Sequence, residues 1–409
     1  MSKKPIYVTG IIVFTISSVL CGLSPSISWL IGARVLQAVG AAMMLALSTA
    51  IVTEAFPPQE RGKALGLIGA SVSVGVVVGP TLGGLLIESL SWHWIFFVNL
   101  PVGIVGAWMA MRYVPAFRPV GRQKFDYWGA VLLLISLLSF LLALTLGQGL
   151  GFTSRPILLL FTTWLASLIA FIVTEWRTAQ PMIDLRLFRN QLFSINLITG
   201  FITFVSIAGV FILIPFYLEN VLGYNTSQVG LMLAVVPIAL GIMAPISGSL
   251  SDRFGARPIT VIGLVALVIG YFAMSTLSAT TGVLGYVLRL LPIGVGMGVF
   301  QSPNNSIIMG SAPRERLGIV SSLLSITRTL GQTTGIAVFG AVWAGLVISF
   351  VGRVLPGGAT SAPIEAQVAG LQGTFRIIGV VVVLGLLLSI WGVIQEQRSA
   401  QVAGAGVKI

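Results

Sequence analysis

Charge is what this sequence has least of. Of its 409 residues, 8% are Asp, Glu, Lys or Arg and 56% are hydrophobic, and its mean hydropathy is +1.01. A soluble domain carries about a quarter charged residues. So little charge cannot cover a water-facing surface of this size, so lipid is the solvent for much of the chain. There is one cysteine, Cys21, inside an apolar run. That excludes a disulfide framework and a thiolate metal site. A single histidine, His93, leaves too few ligands for a zinc enzyme, which needs three or four. No metal and no cofactor are expected. No Gly-x-x-x-x-Gly-Lys-Ser/Thr occurs, so ATP is not the energy source within this chain. Acidic residues number 11, and they fall near span ends or in loops. A membrane-embedded enzyme would need clustered catalytic groups at membrane depth, so no enzymatic activity is expected. Nor is a titrating mid-span carboxylate evident. Glu88 is the best remaining candidate for that role, and an exposed loop-end residue is the favoured reading of it.

Long apolar runs are what the sequence has instead. A helix crosses the hydrocarbon core in about 20 residues. Twelve segments qualify, roughly 6–23, 28–55, 63–88, 93–114, 127–147, 156–175, 192–218, 226–250, 258–277, 281–303, 317–350 and 373–395. The runs are continuous rather than alternating, which argues for helices over strands. With the N-terminus on the cytoplasmic side, 17 of the 23 Lys and Arg fall in inside segments, including Lys3, Lys4, Arg61, Lys63, Arg118, Arg122, Lys124, Arg314, Arg398 and Lys408, and only Arg155 and Arg353 fall outside. This bias predicts an even number of spans with both termini inside. It also explains the net charge of +12 without nucleic acid, since basic loops face anionic lipid headgroups.

The chain repeats itself. Arg34-Val-Leu-Gln37-Ala-Val-Gly40 is answered by Arg289-Leu-Leu-Pro-Ile-Gly294 at an offset of 255, and Glu60-Arg61 by Glu315-Arg316 at the same offset. Gly75-x-x-x-Gly79 is answered by Gly331-x-x-x-Gly335 at 256. Two related halves packed about an axis are a transporter design, with the substrate site near the midplane. The loop Gly248-Ser-Leu-Ser-Asp252-Arg253-Phe-Gly255-Ala-Arg257 has its expected first-half copy at about the start of the chain. The pattern therefore expects two further spans, roughly 60 residues, ahead of Met1.

These residues carry a family resemblance over nearly the whole chain. It resembles the fourteen-spanner, EmrB/QacA-type branch of the drug:proton antiporters in the major facilitator superfamily, without the first two spanners. Gly75-Val-Val-Val-Gly79-Pro80-Thr-Leu-Gly83-Gly84 resembles the antiporter motif, Ala33 to Gly40 the fourth-spanner motif, Trp92 to Gly103 the opening of the sixth spanner, Gly248 to Arg257 the cytoplasmic loop motif, and Arg328-Thr-Leu-Gly331 a segment of the penultimate spanner. The resemblance implies an all-α integral membrane protein, a major facilitator-type bundle of about 12 helices in two pseudo-symmetric halves. The expected organisation is a truncated four-helix N-terminal bundle (1–115), two extra linker helices (116–190) and a six-helix C-terminal bundle (191–409).

Each motif has a physical reading beside the family one. Gly75, Gly79 and Gly83 share one helix face and would let another helix approach, while Pro80 can bend the helix. The resemblance makes this stretch, with Gly84, a hinge and seal; ordinary helix packing is the plainer alternative. Arg34 inside a span costs at least about 2.5 kcal/mol, so a polar partner or water-filled cavity is expected around it. Gln37, Asn304, Asn305 and Gln332 are candidates to line that cavity, and Arg328 resembles Arg34 in situation. Arg289 lies closer to the outer end, and Arg376 near a helix start. Asp252 at the end of a span can face the positive N-terminus of a neighbouring helix, by pseudo-symmetry the one starting near Lys63. Gly255 permits a tight turn. The resemblance implies that Gly248, Asp252, Arg253, Gly255 and Arg257 form a latch; a topogenic basic loop is the alternative.

The expected activity is efflux of drugs or xenobiotics by proton-coupled antiport with alternating access in the cell membrane. The expected partners are the lipid bilayer, a small amphipathic or cationic substrate and protons, with a periplasmic adaptor left open. A metabolite or siderophore-type exporter and a transport-inactive scaffold stay open as alternatives.

Overall fold

The computed structural model describes residues 3–116, 126–313, 316–353 and 357–405, without the side chains of Pro80, Thr81, Gln148 and 396–405. Of the residues used above, Arg118, Arg122, Lys124, Arg314, Glu315 and Lys408 lie outside this description, as do the side chains of Pro80 and Arg398. Among the described residues there is no strand. The helices are α1 (Lys3–Gly22), α2 (Ile27–Ala55), α3 (Arg61–Ser89), α4 (Trp94–Phe97), α5 (Asn99–Tyr113), α6 (Tyr127–Leu150), α7 (Arg155–Arg177), α8 (Gln191–Phe216), α9 (Thr226–Leu233), α10 (Val235–Phe254), α11 (Ala256–Met274), α12 (Val283–Gly310), α13 (Leu317–Val351) and α14 (Ile364–Ala405). They make 12 segments long and apolar enough to cross a membrane, with α4–α5 forming one, α9–α10 another, and α8 continuing through a π-helical turn, Tyr217–Val221.

Local chemistry sets the ends. Ser26, Asp126 and Asn190 accept backbone N–H groups at the starts of α2, α6 and α8, and Asn225 with Gln228 forms a capping box on α9. Gly151, Gly255 and Gly352 follow the ends of α6, α10 and α13 with φ of 83°, 88° and 76°, a region where a side chain is strained. Inside the spans, hydroxyls fold back on the preceding turn, as Thr15 does to the Ile11 carbonyl and Thr374 to that of Gly370. Such bonds pair a hydroxyl where water is absent. α14 starts at Ile364, earlier than the apolar run alone indicates, so Arg376 sits about three turns inside a helix rather than near its start.

The largest core lies in the second half, where Tyr271, Tyr286, Phe339 and Phe375 are fully buried among α8 and α10–α14. In the first half, α1 packs on α2 and α5 around Val8, Ile11, Ala107 and Ala110. α6 and α7 pair with each other, and α6 also leans on α13. Across the halves, α3 packs on α12 and α2 on α13. The sequence repeat relates α2 to α12 and α3 to α13, so these two contacts exchange under the pseudo-two-fold.

The tightest contact between helices of different halves is that of α3 with α10. A Cβ added to Gly66 would strike the Ala244 carbonyl oxygen and come 2.8 Å from the Pro245 Cα, and one added to Gly248 would strike the Gly62 carbonyl. Backbone meets backbone, and no side chain can yield. Gly66→Val is therefore expected to cost about 1–3 kcal/mol and to lower the thermal unfolding midpoint in detergent. Gly32→Ala, where a Cβ meets nothing within 4 Å, is expected to leave stability unchanged or raise it by about 0.5–1 kcal/mol, with the midpoint level or higher. Equal midpoints for Gly66→Val and the parent chain would rule out this close approach.

Candidate functional site

At one end of the bundle, α3 begins inside apolar surroundings with four N–H groups that its own helix cannot satisfy. The Asp252 carboxylate, at the last turn of α10, answers two of them. Its Oδ1 accepts the Gly62 N–H and its Oδ2 the Lys63 N–H, both at 2.8 Å. A carboxylate here also meets the positive end of the α3 dipole. From the other side, Ser302 of α12 donates to the Gly62 carbonyl at 2.7 Å. Gly248, one turn before Asp252, supplies the bare backbone that lets α10 come this close. Gly255 turns the chain into α11, Arg253 lies over the Phe254 ring at 5.7 Å, and Arg257 sits half-buried at the start of α11. This end also holds the Lys3–Glu54 and Arg316–Asp184 ion pairs, at 2.6 Å and 3.0 Å, and is referred to below as the basic end.

Above the clasp, between the halves, is a cavity of about 210 Å³. Its walls come from α2, α3, α8, α10, α12 and α13. Most are apolar: Leu65, Ile68, Val72, Phe204, Phe211, Leu240 and Met297. The polar part is Ser48, Thr49, Ser73, Gln301, Ser302, Asn305, Ser325, Arg328 and Gln332. Gln301 and Asn305 stand one turn apart on α12, and Arg328 and Gln332 one turn apart on α13, so each pair shares a face. Ser325 ties the wall across the halves by donating to the Leu45 carbonyl at 3.3 Å.

The expected set of cavity residues divides. Asn305, Arg328 and Gln332 line the cavity. Asn304 does not: the step to the next helical residue is about 100°, which turns it into the second half toward Gly200, where it is 2% exposed and its Oδ1 has no partner. Arg34 and Gln37 are also elsewhere. They meet near the opposite end, where Arg34 Nη1 donates to Gln37 Oε1 at 3.0 Å and the guanidinium lies 4.6 Å over the Phe96 ring. Cys21 Sγ donates to the same Gln37 oxygen at 3.9 Å. Arg34 is thus satisfied by a polar partner and a ring rather than by the central cavity. Arg289 is likewise satisfied, donating to Thr276 at 2.8 Å and to the Gly285 carbonyl at 2.9 Å. Gln301, Ser48, Thr49 and Ser73 are cavity residues that sequence reasoning missed; for Gln301 the signal was its spacing of four from Asn305.

The glycine motif faces open space. Cβ atoms added at Gly75, Gly79, Gly83 or Gly84 would meet nothing within 4 Å, so no described helix uses that face. The stripe that brings α3 against α10 is Gly62, Gly66 and Gly69, followed by Ser73 against Gly241. Six residues on from Gly69, Gly75 points about 120° away. In the second half the related glycines are covered: Gly331 and Gly335 press on Phe204 and Val205 of α8. Among the described residues no first-half helix stands in the corresponding place.

The chain matches the family model of the Major Facilitator Superfamily over residues 1–336. It is 34% identical over 347 residues to the riboflavin transporter RibZ of Clostridioides difficile (strain 630), covering 84% of this chain and 74% of that protein. It is 30% identical to the multidrug transporter MdtP of Bacillus subtilis (strain 168), covering 84% of this chain, and 34% identical to the multidrug resistance protein Stp of Mycobacterium tuberculosis, covering 83%. The chain spans 63% of the length of each of these two. Among solved structures it superposes on the human organic anion transporter MFSD10 with a TM-score of 0.68 at 17% identity, over 95% of this chain and 77% of that one. On the proton:xylose symporter XylE the TM-score is 0.63 at 15% identity, over 95% and 80%. A helical bundle in two related halves, with a cavity between them, thus meets a family match over most of the chain: this protein belongs to the major facilitator superfamily and is a multi-pass membrane transporter of small solutes, not an enzyme.

Proposed function

We propose that this chain exports small amphipathic drug-like molecules by secondary active transport, exchanging them for protons through alternating access, as a member of the EmrB/QacA-type branch of its family. The observation that carries this reading is the cavity, lined by both halves and tied shut at the basic end by Asp252 on the α3 amides. Apolar walls with a few convergent polar groups suit amphipathic ligands. Relatives named as multidrug transporters support the substrate class. In this reading the basic end is cytoplasmic, by its excess of Lys and Arg, with both termini there and the protein in the cell membrane. The chain is organised as 1–115, 116–190 and 191–409. Asn305, Arg328 and Gln332 meet the substrate, while Arg34, Gln37 and Asn304 act from outside the cavity. Gly248, Asp252, Arg253, Gly255 and Arg257 form the latch, and the Gly75–Gly84 face of α3 closes against a neighbour in another state of the cycle. The 34% identity to a riboflavin transporter supports a second reading, the same machinery moving a heterocyclic metabolite.

Cells expressing the chain are expected to accumulate less of at least one lipophilic dye from a panel of cationic, neutral and anionic members, and a protonophore is expected to abolish the difference. No effect on any dye, with riboflavin accumulation altered, would replace the first reading by the second. Asp252→Ala removes the acceptor of two N–H groups, at about 1.5–3 kcal/mol for each charge-assisted bond. A cysteine placed at Asn305 in that background is expected to react several-fold faster with a membrane-impermeant maleimide added from the cytoplasmic side. An unchanged rate would dismiss Asp252 as the latch. Gly79→Leu, which meets open space in this state, is expected to leave the amount and folding of the protein unchanged while reducing efflux at least tenfold. Full efflux would remove the sealing role of that face.

A further inference from the structure

Arg328 differs from the other arginines at membrane depth. Arg34 donates to Gln37, and Arg289 to Thr276 and Gly285. A guanidinium carries five N–H donors and is never deprotonated in a protein. Among the described residues no carboxylate and no other hydrogen-bond acceptor meets that of Arg328, and its one recorded partner is the Phe204 ring, 5.8 Å from the guanidinium carbon. It is half-buried on α13 and lines the cavity between the halves. Among the described residues of that lining it is the one charged side chain; Asp and Glu are absent from it. The other polar groups around it, the Gln301, Asn305 and Gln332 amides and the serine and threonine hydroxyls, are neutral. An intramembrane cation without a counter-ion is costly, and in a low-dielectric cavity its field is felt at full strength by whatever enters.

We infer that the cavity selects amphipathic anions, binding a carboxylate or similar planar acid group at Arg328 and an aromatic or aliphatic body against Phe204, Phe211 and Met297. This rests on the reading of the cavity as the transport site and narrows its substrate class. Carboxylate matches the guanidinium fork with two parallel N–H···O bonds. The ring of Phe204, already beside the guanidinium, extends the acid site into the apolar wall. Gln332, one turn on, and Asn305 across the cavity supply amide donors to the remaining lone pairs. Size follows from volume: about 210 Å³ is below the roughly 300 Å³ at which ligand pockets begin, so in this state the cavity takes a body of one or two rings. A lipophilic cation of the same shape meets an uncompensated positive charge and is rejected.

The test is binding to the full chain purified in detergent, read by displacement of tritiated 1-naphthaleneacetate. The competitors share the ring system and differ in charge: unlabelled 1-naphthaleneacetate, its neutral amide, and 2-(1-naphthyl)ethylammonium. The expected order is carboxylate, then amide, then ammonium, with the first step on the order of tenfold or more, as for a hydrogen bond to a charged group. Arg328→Gln is expected to bring carboxylate and amide within about twofold of each other, and Arg328→Lys, which keeps the charge but loses the fork, to restore part of the preference. Equal competition by all three in the parent chain, absence of saturable binding, or strongest competition by the ammonium would overturn the inference, and none of these needs a variant to fold. Failure of the export reading looks different: the carboxylate binds with the expected preference, yet proteoliposomes with an imposed proton gradient do not move it. Proton-driven movement of all three probes at equal rates, with equal binding, would keep the export reading and refute the anion selectivity.

Discussion

The structure depends on how the first N–H groups of α3 are satisfied. In water they would cost nothing, because solvent would take them. The Gly62 donor is part-buried, where leaving it unmet costs about 1–3 kcal/mol, while the Lys63 donor lies at the exposed rim, and the helix that owns them cannot help. Asp252, 190 residues downstream, accepts two of them, and this fixes a chain of consequences. A carboxylate reaches backbone amides only if the helix bearing it comes within backbone distance. α10 therefore needs Gly248 where it crosses Gly62, and α3 needs Gly66 where it crosses Ala244. Once those glycines touch, one end of the gap between the halves is closed, and the close approach runs on through Gly69 to Ser73 against Gly241. The cavity lies beside this seam, with α2, α8, α12 and α13 completing its wall.

The clasp is strong enough to hold and weak enough to release. Charge-assisted hydrogen bonds contribute about 1.5–3 kcal/mol each, and the helix dipole up to about 2 kcal/mol in partly buried geometry. The sum lies within reach of a ligand's differential binding to two states, since a shift from 1:99 to 99:1 takes about 5.5 kcal/mol. The cavity sits directly beyond the clasp and shares residues with it. Ser302 both lines the cavity and donates to the Gly62 carbonyl. An occupant that pulls on α12 therefore acts on the helix that holds the start of α3.

Much of this was legible in the sequence, for physical reasons that also explain what was not. Spans are read from length and hydrophobicity, because lipid imposes both, and all twelve appear. The juxtaposition of Asp252 with the helix starting near Lys63 was legible because the repeat supplies a geometric relation that no local pattern contains. Which face of a helix looks where was not legible. In a soluble helix, polarity marks the outer face; here lipid-facing and core-facing positions are equally apolar, so Asn304 and Asn305 are indistinguishable by composition although one is buried against α8 and the other lines the cavity. The open surroundings of Gly75 and Gly79 were illegible for the same reason. A small-residue stripe records that an approach is possible, and the approach on α3 uses Gly62 and Gly66 instead. Arg34 and Arg328 carry the same charge inside apolar helices, yet one meets Gln37 of its own helix and the Phe96 ring near the far end and the other lines the cavity; the sequence around each does not tell them apart.

The two sides of the basic end are fastened unequally, although the repeat relates them. At the start of α3, a carboxylate from the second half bonds to two backbone amides, one part-buried (Gly62) and one exposed (Lys63). At the start of α13, the related arginine, Arg316, forms an ion pair with Asp184, a residue just before α8, at 3.0 Å with side chains 32% and 19% exposed. A pair that accessible contributes about 0–1 kcal/mol. On that side Ser325 donates to the Leu45 carbonyl, and among the described residues no glycine-to-backbone crossing joins α2 to α13 as one joins α3 to α10. Separation of the halves at this end therefore meets less resistance between α2 and α13 than between α3 and α10. Arg328, one turn from Ser325 on the same face of α13, lies on the weaker side. The charge that would meet a substrate is carried by the helix that is freer to move.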